Sequence, residues 1–97
     1  MLSGIRLKQK VAPATKLLRA IADPTRVAIV YLLMSDAMEL GDIVHSVGKS
    51  APLVSHHLKV LLSAGWITKT KYGKLVTYYL SEHACKEVSQ WLQKGIS

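Results

Sequence analysis

The chain carries a single cysteine, Cys85, so no intrachain disulfide can form. A lone thiol fits a reducing cytoplasm, the expected location. Long apolar runs are missing as well. The longest, Val27 to Met34, falls far short of the roughly 20 residues that span a bilayer, so no membrane-crossing segment is expected. Arg6, Lys8 and Lys10 open the chain, but Lys16 and Arg19 interrupt any apolar stretch behind them, so no targeting segment is expected either. No paired carboxylates, Ser-His-Asp or Cys-His arrangement stands in a supporting context, and no glycine-rich phosphate loop is found. An enzyme and a resident cofactor are therefore not expected. The most informative absence is of negative charge. From Ile43 to Leu80 there is no Asp or Glu, whereas Lys49, Lys59, Lys69, Lys71 and Lys74 all fall within that window. A solvated surface normally mixes charges of both signs.

What is present describes one globular domain over residues 1–97, with 49% hydrophobic residues and neither repeats nor low-complexity tracts. Thirteen Lys and Arg against six Asp and Glu leave a net charge of +7. That excess favours a polyanionic partner, nucleic acid first and an acidic membrane surface second.

Helical periodicity dominates the first two thirds of the chain. Leu7 and Val11 suggest an early helix that kinks or restarts at Pro13. Ala14, Leu17, Leu18 and Ile21 continue the i, i+3, i+4, i+7 spacing. Asp23-Pro24 reads as a cap followed by a first helical residue, and Val27, Val30, Tyr31 and Met34 form the expected inward stripe of the second helix. Leu40, Ile43, Val44 and Val47 mark a short third helix stopped by Gly48. A fourth runs from the cap at Ser50 to Gly65, with Val54, Leu58, Leu61 and Leu62 on one face and Pro52, His56, Lys59 and Ser63 opposite. Two short helices joined by a glycine-containing turn are the signature of a helix-turn-helix, here spanning about residues 39–65.

After Gly65 the period shortens to two. Residues 66–71 and 75–80 are rich in β-branched and aromatic side chains and flank Tyr72-Gly73-Lys74, so residues 66–80 are expected to form a β-hairpin with Val76, Tyr78 and Leu80 facing the core. A helix-turn-helix followed at once by a basic hairpin makes a winged helix, mainly α, with about five helices and a two-stranded wing. The last helix, residues 81–94, starts at the cap Ser81 and carries Ala84, Cys85, Val88, Trp91 and Leu92 on its apolar stripe. Pairing of the terminal helices, through Leu17, Leu18, Ile21, Val88, Trp91 and Leu92, would cover both stripes in a homodimer.

Two stretches resemble the ArsR-type winged-helix repressors. One is Leu18-Arg19-Ala20-Ile21-Ala22-Asp23-Pro24-Thr25-Arg26 with the apolar helix behind it. The other runs from Gly41-Asp42-Ile43 through Val54-Ser55-His56-His57-Leu58-Lys59-Val60-Leu61 to Ala64-Gly65-Trp66-Ile67 and the tyrosine-rich second wing strand. The likeness covers about residues 16–80. It implies a homodimeric repressor that binds an inverted-repeat operator in double-stranded DNA and is released by an inducer. That inducer cannot be read from the sequence. Many metal-sensing members have a cysteine pair where this chain has Glu39 and Gly41. Others need histidines where it has Ala84 and Gly95, although Glu82 matches their carboxylate. No metal site of the usual kinds is therefore expected.

Ser55 and His56 are the candidates for base-edge or phosphate contacts, since a hydroxyl donates or accepts and an imidazole can donate to guanine or to phosphate oxygens. Ser50, Ala51 and Pro52 stand at the groove-entering end, and Lys59, Lys71 and Lys74 are candidates for phosphate contacts. The plain alternative for each lysine is solubility. His57 lies nearer the apolar stripe and is expected to pack within the motif. His83 and Glu87 share a helix face, more simply as an exposed pair than as a zinc site. Cys85 is expected to act as a small buried hydrophobe. Two other functions stay open: a winged helix used as a protein-interaction module without specific DNA binding, and RNA binding through the hairpin.

Overall fold

The computed structural model describes residues 3–96, the side chains of 91 and 94–96 excepted. Five helices and three strands follow in the order α1 (Gly4–Ile21), α2 (Pro24–Ser35), β1 (Met38–Glu39), α3 (Leu40–Val47), α4 (Ala51–Ala64), β2 (Ile67–Tyr72), β3 (Leu75–Leu80) and α5 (Glu82–Ile96). The helix-turn-helix and wing fall where the sequence places them. Three details differ.

First, Pro13 neither ends nor restarts α1, which passes through it as one helix. The N–H that proline lacks would have bonded the carbonyl of Gln9, and both residues are exposed, so water can replace it. Second, the inward stripe of α2 is Ile29, Val30 and Leu33; Val27, Tyr31 and Met34 are exposed. Apolar residues nearly encircle this helix, so periodicity alone could not choose its buried face. Third, the wing is not purely two-stranded. Met38 and Glu39 pair antiparallel with Tyr78 and Thr77, giving the sheet order β1-β3-β2. Two residues are too few to reveal a period of two.

Local chemistry sets the helix ends. The carboxylate of Asp23 accepts from the Arg26 N–H at 3.0 Å and starts α2. Gly48, at φ 66°, closes α3 in the left-handed region, and the hydroxyl of Ser50 caps α4 by accepting from Leu53 N–H at 3.4 Å. At the far end of α4, Gly65 has φ 90° and its N–H bonds Leu62 O, while Trp66 N–H bonds Leu61 O. Those two bonds form a Schellman motif. In the hairpin only the first of the two turn residues, Gly73, has positive φ, the pattern of a type II′ turn.

The core collects Ile29 and Leu33 of α2, Ile43 of α3, Val54, Leu58 and Leu61 of α4, Ile67 of β2 and Ala84 of α5. Each large aliphatic side chain buried there contributes about 1.5–3 kcal/mol. Tyr78 and Leu80 pack partly against this cluster, as expected; Val76 is half-buried outside it.

Trp66 joins three parts of the chain. Its indole N–H donates to Leu17 O of α1 at 2.7 Å, its backbone N–H bonds α4, and its carbonyl accepts from Ser81 N–H just before α5. The residue is only 6% exposed. Trp66→Phe removes the buried indole donor and is expected to cost about 1–3 kcal/mol. Trp66→Ala, which also leaves a cavity, is expected to cost about 3–5 kcal/mol. Urea unfolding of both variants measures the difference; equal losses would mean that the indole hydrogen bond contributes nothing separable.

Candidate nucleic-acid interface

The two faces of α4 have different surroundings. Val54, Leu58 and Leu61 are fully buried in the core, which holds the helix in one orientation. Ala51, Pro52, His56, Lys59 and Ser63 are exposed, and Ser55 is half-buried at the border. Ser50 is exposed beside them, with its hydroxyl engaged as the cap. Leu53, 42% exposed near the start of α4, joins this surface although sequence periodicity did not single it out. An exposed leucine there can meet a thymine methyl as well as Ala51 can.

The two adjacent histidines separate as expected. His56 projects outward and His57 is 8% exposed, with their rings 5.8 Å apart and tilted by 58°. His57 Nδ1 lies 3.9 Å from the Asp23 carboxylate, too far for a direct hydrogen bond. His57 thus faces the start of α2 and not solvent.

Asp23 serves both helices. The Arg26 backbone N–H holds its carboxyl below the ordinary range; burial opposes this, and the neighbouring His57 and Arg26 charges and the Thr25 N–H reinforce it. Arg26 Nε lies 4.0 Å from the same carboxylate.

The wing presents Lys69, Lys71 and Lys74, all exposed. Lys69 and Lys71, two residues apart on β2, share a face of the strand and pair with Tyr78 and Val76. Tyr72, 89% exposed, stands at the tip. Lys59 is on α4 and Lys49 in the turn before it, so the lysines of the acid-free window are divided among that turn, α4 and the wing.

The residues expected at a dimer interface divide. Leu17 is buried within its own chain and is not available to a partner. Ile21 and Val88 pack partly against the same core. Leu18 and Leu92 are 42% and 50% exposed, and the side chain of Trp91 lies outside the described residues. Ile5, which the sequence did not single out, and Leu7, read there only as a mark of the early helix, add exposed apolar surface to α1. Cys85 is exposed and not buried as expected: Ala84 beside it takes the inward position. His83 is exposed and Glu87 half-buried. Among the described residues, no three His, Cys, Asp or Glu side chains gather as a metal site, and no helix is long and apolar enough to cross a membrane.

A buried-and-exposed α4 following a short α3 across a three-residue turn, with a basic hairpin behind it, defines a winged helix-turn-helix of the kind found in transcriptional regulators. Residues 23–69 match the family model described as bacterial regulatory protein, arsR family. Over 70 residues the chain is 41% identical to the transcriptional repressor SmtB of Mycobacterium tuberculosis, covering 72% of this chain but only 52% of that protein. Over 79 residues it is 34% identical to the transcriptional repressor SdpR of Bacillus subtilis, covering 81% of this chain and 88% of the relative. The chain belongs to the ArsR family. In fold it is similar to the homodimeric winged helix-turn-helix DNA-binding domain of a possible ArsR-family regulator from Mycobacterium bovis. That likeness has a TM-score of 0.77 at 19% identity, over 98% of this chain and 87% of the other.

The Asp23 carboxylate links the α2 cap to His57, and its lowered pKa makes that link pH-dependent. The contribution is complete above the unfolded-state value of 3.8 and is lost as pH falls through the lower folded-state value. Asp23→Asn keeps a capping group but removes the titration. Its urea midpoint is expected to fall less than that of the parent between pH 5 and pH 2.5, whereas parallel pH profiles would exclude Asp23 from the acid response.

Proposed function

We propose that the chain is a sequence-specific, double-stranded-DNA-binding transcriptional regulator that acts as a homodimeric repressor of an inverted-repeat operator. The observation that carries this reading is the outer face of α4. It offers Ser55 and His56 as hydrogen-bonding groups and Lys59 as a cation, with no acid, on a helix locked by its buried side. The repressor relatives support the reading, as does the net charge of +7. In a dimer the two α4 helices enter successive major grooves about 34 Å apart. Ser55 and His56 contact base edges, Ala51 and Pro52 approach thymine methyls, and Lys59, Lys71 and Lys74 neutralise phosphates. Ser50 holds the groove-entering end of the helix in place. Such a regulator works in the cytoplasm and catalyses nothing.

The dimer forms through the terminal helices. Leu18 and Leu92 expose apolar surface there, and Leu7, on the same face of α1 as Leu18, extends it along that helix. The homodimeric state of the Mycobacterium bovis neighbour supports a dimer, whichever surface forms it.

Duplexes selected from a random pool supply the operator for mobility shifts over a range of salt. Ser55→Ala and His56→Ala are expected to relax preference at single positions, each worth about 1–3 kcal/mol of discrimination. Lys74→Ala is expected to weaken binding to all sequences and lower the salt slope by about one. Unchanged operator preference in both α4 variants would remove α4 as the reader, and failure to select any duplex would favour a protein-interaction module. For the dimer, sedimentation of Leu18→Glu and Leu92→Glu is expected to show monomers. Dimers that persist in both variants would place the interface elsewhere.

A further inference from the structure

An open groove of about 770 Å³ runs between α1 and α4. Its apolar lining comes from Val11, Ala20, Val60 and Ala64, three of them half-buried and Ala20 buried. Cations line it as well: Lys8, Lys16 and Arg19 from α1, Arg26 from α2 and Lys59 from α4, with no Asp or Glu among the lining residues. The sequence did not reveal this site, because its two sides are about 40 residues apart. One local signal existed: α1 has no acid anywhere from Gly4 to Ile21.

We propose that this groove binds an amphipathic organic anion, a carboxylate or sulfonate carried on an acyl chain or flat ring, and that such a ligand is the effector that controls operator binding. Its volume lies within the range of about 300–1,000 Å³ typical of small-molecule sites. The apolar lining takes the hydrocarbon part, and the surrounding lysines and arginines take the anionic head. Inorganic phosphate would leave the apolar lining unused. The phosphates of a duplex would meet the cations at the rim but, like inorganic phosphate, leave the apolar lining unused. A second copy of α1 would bring cations against cations.

The regulatory part rests on the operator reading above. His56 and Lys59 line the groove and also belong to the α4 face assigned to DNA. An anion seated there neutralises the positive field beside α4 and obstructs phosphates approaching Lys59. Ligand and operator therefore compete, and by linkage each lowers the affinity of the other by the same factor.

The test uses the full chain without DNA first. Anilinonaphthalene sulfonate fluorescence is titrated, decanoate serves as competitor, and dodecyltrimethylammonium serves as the charge-reversed control. Saturable binding of one anion per protomer is expected, displaced by decanoate and not by the cation. Arg19→Glu reverses one cation, and Ala12→Glu places an acid in the groove while leaving every cation in place. Both variants, verified as folded by circular dichroism, are expected to bind at least tenfold more weakly. Decanoate is then expected to release the selected duplex from the parent protein over the range in which it displaces the probe. Equal probe affinity in the parent and both variants would overturn the proposal, as would equal binding of the cationic amphiphile. So would probe binding confined to monomers, which would give the groove to a second copy. Reduced duplex affinity and salt slope in Arg19→Glu with no anion binding by the parent would assign the groove to the DNA backbone. A parent that binds duplex but no anion refutes this inference alone. A parent that binds the anion but no duplex leaves the ligand site standing and refutes the operator reading and its regulation.

Discussion

Trp66 fastens the molecule. It follows the left-handed Gly65 immediately, so the Schellman motif that ends α4 also turns the tryptophan into the core. Its indole then reaches the Leu17 carbonyl, and its own carbonyl receives the Ser81 N–H. One residue thereby relates the end of α4, the start of the wing, the C-terminal part of α1 and the approach to α5. The β1–β3 pairing and the core packing of Ile67 also join the hairpin to the helices, and Trp66 adds to them the hydrogen bonds that tie the hairpin to α1 and α5.

The consequence is a rigid α4 with two unlike faces. Apolar burial on one side removes rotational freedom, so the other side is presented in a single orientation. Binding that depends on hydrogen bonds to base edges needs that preorganisation, because a contact made by a freely rotating helix would lose much of its free energy to ordering. The cationic wing has a different task. In the proposed regulator its exposed lysines act through charge, which tolerates imprecise placement and responds to salt.

Charge is partitioned with equal consistency. Asp23, 3.9 Å from His57 of α4, is engaged by the Arg26 N–H, so it caps α2 and is not among the residues lining the groove next to α4. The cations of α1 consequently add to those of α4 with no opposing sign. If α4 faces DNA and the groove takes an organic anion, as proposed, the positive field they share is a direct physical route for coupling the two, since both ligands are anions drawn to the same charges.

Much of this architecture is written in short-range patterns. The caps at Asp23, Ser50 and Ser81, the stops at Gly48 and Gly65, and the change of period after Trp66 each depend on residues within a few positions of one another. They placed the helix-turn-helix and the wing from the chain alone, and they separated His56 from His57. Other features depend on which distant surfaces meet. The apolar residues of α2 nearly surround it, so only packing selected Ile29, Val30 and Leu33 over Val27, Tyr31 and Met34. Leu17 looked available to a partner until Trp66, 49 residues away, was found bonded to its carbonyl. Cys85 and Ala84 are neighbours with equal claims to an inward position, and the direction of α5 chose Ala84. The α1–α4 groove exists only because folding sets residues from two remote helices side by side. Local backbone and capping chemistry acts between neighbours and can be read in order along the chain; burial and the meeting of charges act through space and appear only once the elements have packed.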